Sequence, residues 1–112
     1  MADHSLPVEI SAREVKQLLD KGEKTRLVDV REPFEFQQAS IAGSELIPMR
    51  TVPQALEKLQ NDAGRLVVFF HHGMRSLQVV QWLRQQGVEN SQSMSGGIDR
   101  WSRDVDPGVR RY

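Results

Sequence analysis

The sequence predicts an α/β domain built in three layers. Three observations lead there. Apolar, β-branched stretches alternate with stretches of helical periodicity along the chain. The most continuous apolar run, Leu66 to Phe69, suits a strand at the centre of a parallel sheet covered on both faces. Glycine or proline punctuates the boundaries between the two kinds of stretch. Repeats, low-complexity segments and an obvious linker are absent, so residues 1–112 read as one domain with right-handed crossovers.

Each element follows from local chemistry. Leu6 to Ile10 is a short first strand. Ser11 is placed to cap a helix, with Glu14 three residues on completing a capping box and Val15, Leu18 and Leu19 forming its apolar face, before Gly22. Thr25 to Val30 is the next strand and stops at Arg31-Glu32-Pro33, because proline lacks a ladder donor and restricts the residue before it. A short helix over residues 34–39 carries Phe34 and Phe36, and residues 40–44 turn the chain. Glu45 to Pro48 is a very short strand near an edge, since Pro48 blocks pairing. A helix over residues 53–59 buries Leu56 and Leu59, and residues 61–64 end it. After the apolar run, the strongest helix spans Leu77 to Gln86, with Val79, Val80, Leu83 and Trp82 on its inner face and Gly87 closing it. Residues 88–94 contain a less apolar strand, broken by Gly96-Gly97. A short helix around residues 98–101 follows, and Asp106-Pro107-Gly108 begins an extended tail.

Composition narrows the functions. Fifteen basic and fifteen acidic residues balance and neither sign gathers, so the basic footprint that nucleic acid demands is missing. The chain has no cysteine, which excludes a disulfide scaffold, a thiolate zinc site and a thiol nucleophile. No apolar run approaches the roughly 20 residues of a membrane span, and no basic-then-apolar leader is visible. A soluble cytoplasmic protein without cofactor, metal, membrane or nucleic acid is the expectation.

The segment after the central run carries the chemistry. Phe70, His71, His72, Gly73, Met74, Arg75 and Ser76 form a short polar loop with a glycine, entering a helix directly. A loop of this kind aims backbone N–H groups and a helix N-terminus at one spot, a cradle for an anion or a thiolate. Periodicity alone lets Phe70 simply extend the core run. His71 and His72 either line an anion-accepting loop or are two partly exposed imidazoles. They lack the carboxylate or cysteine spacing of a metal site. Arg75 either sits in the cup to pair with an anion or pairs with Glu35 and braces the loop, the bracing role being preferred. Asp29, Arg31 and Glu35 lie at or after a strand's carboxyl end, where α/β proteins place pocket residues, with a surface Arg31 as the plain alternative. Trp101 is expected to pack under Gly96-Gly97.

Several motifs in order resemble the rhodanese-like family over nearly the whole chain. They are Val28-Asp29-Val30-Arg31-Glu32-Pro33-Phe34-Glu35-Phe36, Ile41-Ala42-Gly43-Ser44, Ile47-Pro48, the loop to Ser76, Ser95-Gly96-Gly97-Ile98-Asp99-Arg100-Trp101 and Asp106-Pro107. The resemblance implies a five-stranded, mostly parallel sheet flanked by helices, with a pocket at the loop after the central strand. It also implies sulfur transfer through a cysteine at the first loop position, cycling between thiolate and persulfide. That position is Phe70 here, and the resemblance moves its ring to the pocket mouth. A benzyl group can neither ionise nor bond covalently to sulfur, and His71, His72 and Ser76 offer no substitute. The expectation is therefore an inactive sulfurtransferase scaffold with a folded loop. An active parent would move sulfane sulfur from thiosulfate or a persulfide to a thiol or cyanide. The alternative is a noncatalytic binding module that recognises a protein partner, such as a sulfur-acceptor protein, or a small anion through residues 70–76.

Overall fold

Five strands and five helices alternate along the chain in the computed structural model, which describes residues 6–60, 64–72 and 74–110. They are β1 (Glu9–Ile10), α1 (Ala12–Asp20), β2 (Thr25–Asp29), α2 (Pro33–Gln38), β3 (Glu45–Leu46), α3 (Leu56–Gln60), β4 (Arg65–Phe69), α4 (Met74–Gln85), β5 (Ser91–Met94) and α5 (Gly97–Asp104). The sheet order is β1-β5-β4-β2-β3, and every adjacent pair runs parallel. The apolar β4 stands at the centre and the two-residue β3 at an edge, as the run of residues 66–69 and Pro48 require.

Alternation along β4 sorts the core into two layers. Val67 and Phe69 face α1 and α5 with Leu27, Met94, Val15, Ile98 and Trp101. Leu66 and Val68 face α3 and α4 with Val28, Leu59, Val79, Val80 and Leu83. Each of these fully buried side chains contributes roughly 1.5–3 kcal/mol of transfer free energy, so β4 is covered from both sides. The capping box at α1 forms as expected. Ser11 Oγ accepts from Glu14 N at 3.1 Å, and Ser11 N donates to Glu14 Oε1 at 3.1 Å.

Several boundaries move, each for a physical reason. Helix α4 begins at Met74 rather than at Leu77. Met74 and Arg75 are good helix formers, and Ser76 spends its hydroxyl on Ser93 Oγ at 2.8 Å, across the layer, instead of capping a later start. The predicted helix over residues 53–59 is split. Two 3₁₀ turns, Met49–Thr51 and Pro53–Ala55, precede α3. The last strand is only Ser91–Met94, because Val88 N folds back onto Leu83 O and Ser91 Oγ onto Val88 O. It is fully buried although three of its residues are polar. The tail from Asp106 does not extend. Asp106 Oδ1 accepts from Gly108 N, and Ser102 Oγ donates to Val109 O at 2.6 Å, which returns Val109 to the core. Residues 61–63, read as the end of a helix, lie outside the described residues.

Candidate functional site

The carboxyl end of β4 gathers the residues the sequence singles out, although not in the roles it suggests. Phe70 leaves the strand directly, and its carbonyl accepts from Ile98 N at 2.8 Å, while that of His71 accepts from Asp99 N at 3.2 Å. The first turn of α5 thus holds the loop by its carbonyls. Gly97 makes this approach feasible. A Cβ there would stand 2.2 Å from Phe70 O, and its φ of +59° is left-handed. On the other side of the loop stands the N-terminus of α4, whose first N–H groups lack intrahelical partners by construction. Gly73 lies outside the described residues.

Phe70 continues the β4 alternation on the α4 side. It is half-buried against the apolar layer that contains Val52 and Val79. It therefore both extends the core run and closes it at the surface. Over its ring, 5.1 Å from the centroid, lies the guanidinium carbon of Arg75, within cation–π range. This corrects the expectation that Arg75 braces the loop through Glu35. Glu35 instead completes a capping box on α2, its Oε1 accepting from Glu32 N at 3.1 Å. His71 and His72 meet edge to face with centroids 4.2 Å apart, His71 half-buried and His72 exposed. Met74 is 72% exposed at the start of α4. Ser76 is fully buried, with its hydroxyl 2.8 Å from Ser93 Oγ.

Asp29, Arg31 and Glu35 do come together, as a buried clamp. Arg31 is not a surface residue: it and Asp29 are both fully enclosed. Arg31 Nε donates to Asp29 Oδ1 and Oδ2 at 2.9 and 3.0 Å, and Nη2 donates to Oδ2 at 2.6 Å. The same guanidinium reaches the carbonyls of Ala39 at 2.5 Å and Glu35 at 3.4 Å. The pair ties the end of β2 to the far end of α2. Trp101 packs in the α1/α5 layer, near the glycine pair that starts α5.

No sequence pattern had marked a groove beside this loop. Met49, Val52 and Pro53 face Gln78, Val79 and Trp82 across an opening of about 200 Å³. Its available signal was the spacing of Arg75, Val79 and Trp82, which places them along one face of a helix. Among the described residues no group of three or more His, Cys, Asp or Glu is positioned to hold a metal, and no helix is long and apolar enough to cross a membrane.

A parallel sheet with order β1-β5-β4-β2-β3, a loop after its central strand held by α5, and helices on both faces define an α/β domain of the rhodanese kind. The model of the Rhodanese-like domain matches residues 11–104, and the chain belongs to this family. It is 41% identical over 109 residues to adenylyltransferase and sulfurtransferase MOCS3-2 of Zea mays, covering 92% of this chain but only 23% of that protein. With thiosulfate sulfurtransferase GlpE of Pseudoalteromonas translucida it shares 31% identity over 102 residues, 91% of this chain and 95% of the relative. The crystal structure of SSP1007 from Staphylococcus saprophyticus superposes with a TM-score of 0.80 at 34% identity, covering 93% of this chain and 99% of that one. The scaffold is that of a rhodanese-like sulfurtransferase, and it contains no cysteine.

Proposed function

We propose that this chain is a rhodanese-like domain whose covalent route of sulfur transfer is lost, because Phe70 stands where active members carry the persulfide-forming cysteine. The observation that carries this is the position of Phe70, directly after the central strand, with its carbonyl on Ile98 N and its ring under Arg75. In an active parent a thiolate at this position would attack the outer sulfur of thiosulfate, expel sulfite and become a persulfide. A thiol or cyanide would then take that sulfur and release the thiolate. The loop N–H groups and the α4 N-terminus would favour that thiolate. His71, His72, Met74 and Arg75 are proposed as the rim of the site, and Ser76, Asp29, Arg31 and Glu35 as its supports. A small sulfur anion or a sulfur-acceptor protein in the cytoplasm belongs to the same proposal.

The test is Phe70→Cys. The variant should gain a one-sulfur mass increase on the new cysteine after thiosulfate treatment, and cyanide should be converted to thiocyanate. The parent should show neither at equal concentration. Turnover by the parent would overturn the proposal, since no side chain here forms a persulfide. A folded Phe70→Cys variant with an accessible but unmodified thiol would favour the second reading, a binding module acting through residues 70–76. The observation behind that reading is the Arg75–Phe70 stack, a cation on an apolar platform at the surface.

A further inference from the structure

The groove beside the loop has a polarity that selects an occupant. Its Val52 and Val79 belong to the apolar layer against which Met49, Trp82 and Phe70 all pack, so the groove and the Phe70 ring share one layer. At about 200 Å³ the opening is smaller than the roughly 300–1,000 Å³ of small-molecule pockets and suits one bulky apolar side chain. The loop end is cationic. Arg75 is exposed, and the partner it shows among the described residues is the Phe70 ring rather than a carboxylate. Arg50, next to Met49, pairs with Glu32, which leaves Arg75, among the described residues, to offer positive charge to a ligand at this rim. Arg75 and Trp82 are separated by about 10 Å along α4, the span of about three residues of polyproline II chain, whose three-residue turn keeps side chains i and i+3 on one face.

We infer that residues 49–53 and the Arg75–Trp82 face of α4 form a docking groove for an extended segment of a partner protein. That segment runs in the polyproline II form and carries an acidic side chain about three positions from a bulky apolar one, so that both lie on one face. The apolar side chain enters between Val52, Val79 and Trp82, and the carboxylate meets Arg75 above Phe70. A side-chain carboxylate is the fitting source, because chain-terminal carboxylates are captured in backbone nests, whereas the cation here is a guanidinium lying on an arene. The inference rests on the reading of residues 70–76 as a noncatalytic recognition site.

The test titrates the isotopically labelled chain with two acetylated, amidated peptides, Gly-Glu-Ser-Gly-Leu-Ser-Gly and its glutamine counterpart, each also in reversed order. Saturable shifts of the Trp82 indole N–H and the Val52 and Val79 amides are expected with a glutamate peptide, with affinity about threefold lower for glutamine. Gln78 lines the groove from an exposed position, so its variants should fold. Gln78→Glu should weaken the glutamate peptide about threefold and Gln78→Lys should tighten it by a similar factor. Equal affinity for glutamate and glutamine, shifts confined to His71 and His72, or no saturable shift would overturn the inference. Preference for a peptide whose only carboxylate is its free C-terminus would overturn the assigned source. The titration uses the parent chain, so its failure is distinguishable from a failure of that reading, which persulfide formation by Phe70→Cys would signal.

Discussion

Replacing Arg31 by methionine keeps most of the side-chain volume while removing the charge, which isolates what the buried clamp contributes. The carboxylate of Asp29 would lose three side-chain hydrogen-bond contacts and its counter-charge in a site that water does not reach. The carbonyl of Ala39 would lose its donor as well. Leaving one partner of such a pair buried and unpaired costs about 3–5 kcal/mol, against a total of roughly 5–15 kcal/mol for a domain. With an m-value of about 1–3 kcal/mol per molar urea, Arg31→Met should lower the unfolding midpoint by about 2 M. Trp82 and Trp101 lie in opposite layers and report the transition by fluorescence. Asp29→Asn combined with Arg31→Met should recover part of the loss, since the uncompensated charge is then gone. A loss below about 1 kcal/mol for Arg31→Met, or strict additivity in the double variant, would refute the clamp as described.

Two further outcomes follow from the loop and the first helix. Gly97→Ala should push α5 off the Phe70 and His71 carbonyls. The cost should exceed the roughly 1–3 kcal/mol of a left-handed alanine alone, with faster hydrogen exchange at the Ile98 and Asp99 amides. Unchanged exchange at those two amides would show that the loop is held by something else. The Ser11 backbone N–H, and then its side chain, hold the Glu14 carboxyl below its ordinary pKa. A depressed folded value adds stability that is complete above the unfolded pKa and is lost as pH falls through the folded one. Glu14→Gln should therefore take away a small part of the stability at neutral pH and flatten the acid limb, with stability below the folded pKa nearly unchanged, as read by urea midpoints across pH.

Much of the architecture is legible in the residues because it is set locally. The Ser11–Glu14 capping box, the uninterrupted apolar run of β4, Pro48 beside a short edge strand and Gly22 after α1 each act within a few residues of themselves. The loop after β4, and the unusual residue that opens it, are equally plain, since a strand, a glycine loop and a helix follow one another without interruption.

What tertiary structure alone decided are the matters settled between distant segments. Ser91, Gln92 and Ser93 are buried because Ser76, Arg65, Arg84 and the Pro7 carbonyl satisfy them, partners that lie between 7 and 85 residues away. Their polarity had argued for a weaker strand. Arg31 is enclosed because Ala39 and Glu35 fold back over it, which no feature of the residues beside it announces. Arg75 lies over the Phe70 ring and not on Glu35, on a helix that starts a turn earlier than its apolar periodicity shows, while Glu35 caps its own helix. The groove needs residues 49–53 laid against α4, a contact between segments some thirty residues apart. A sequence pattern reports which side chains seek burial or a partner. Which partner each one finds depends on the closing of the sheet, where hydrogen bonds and charges are matched across space.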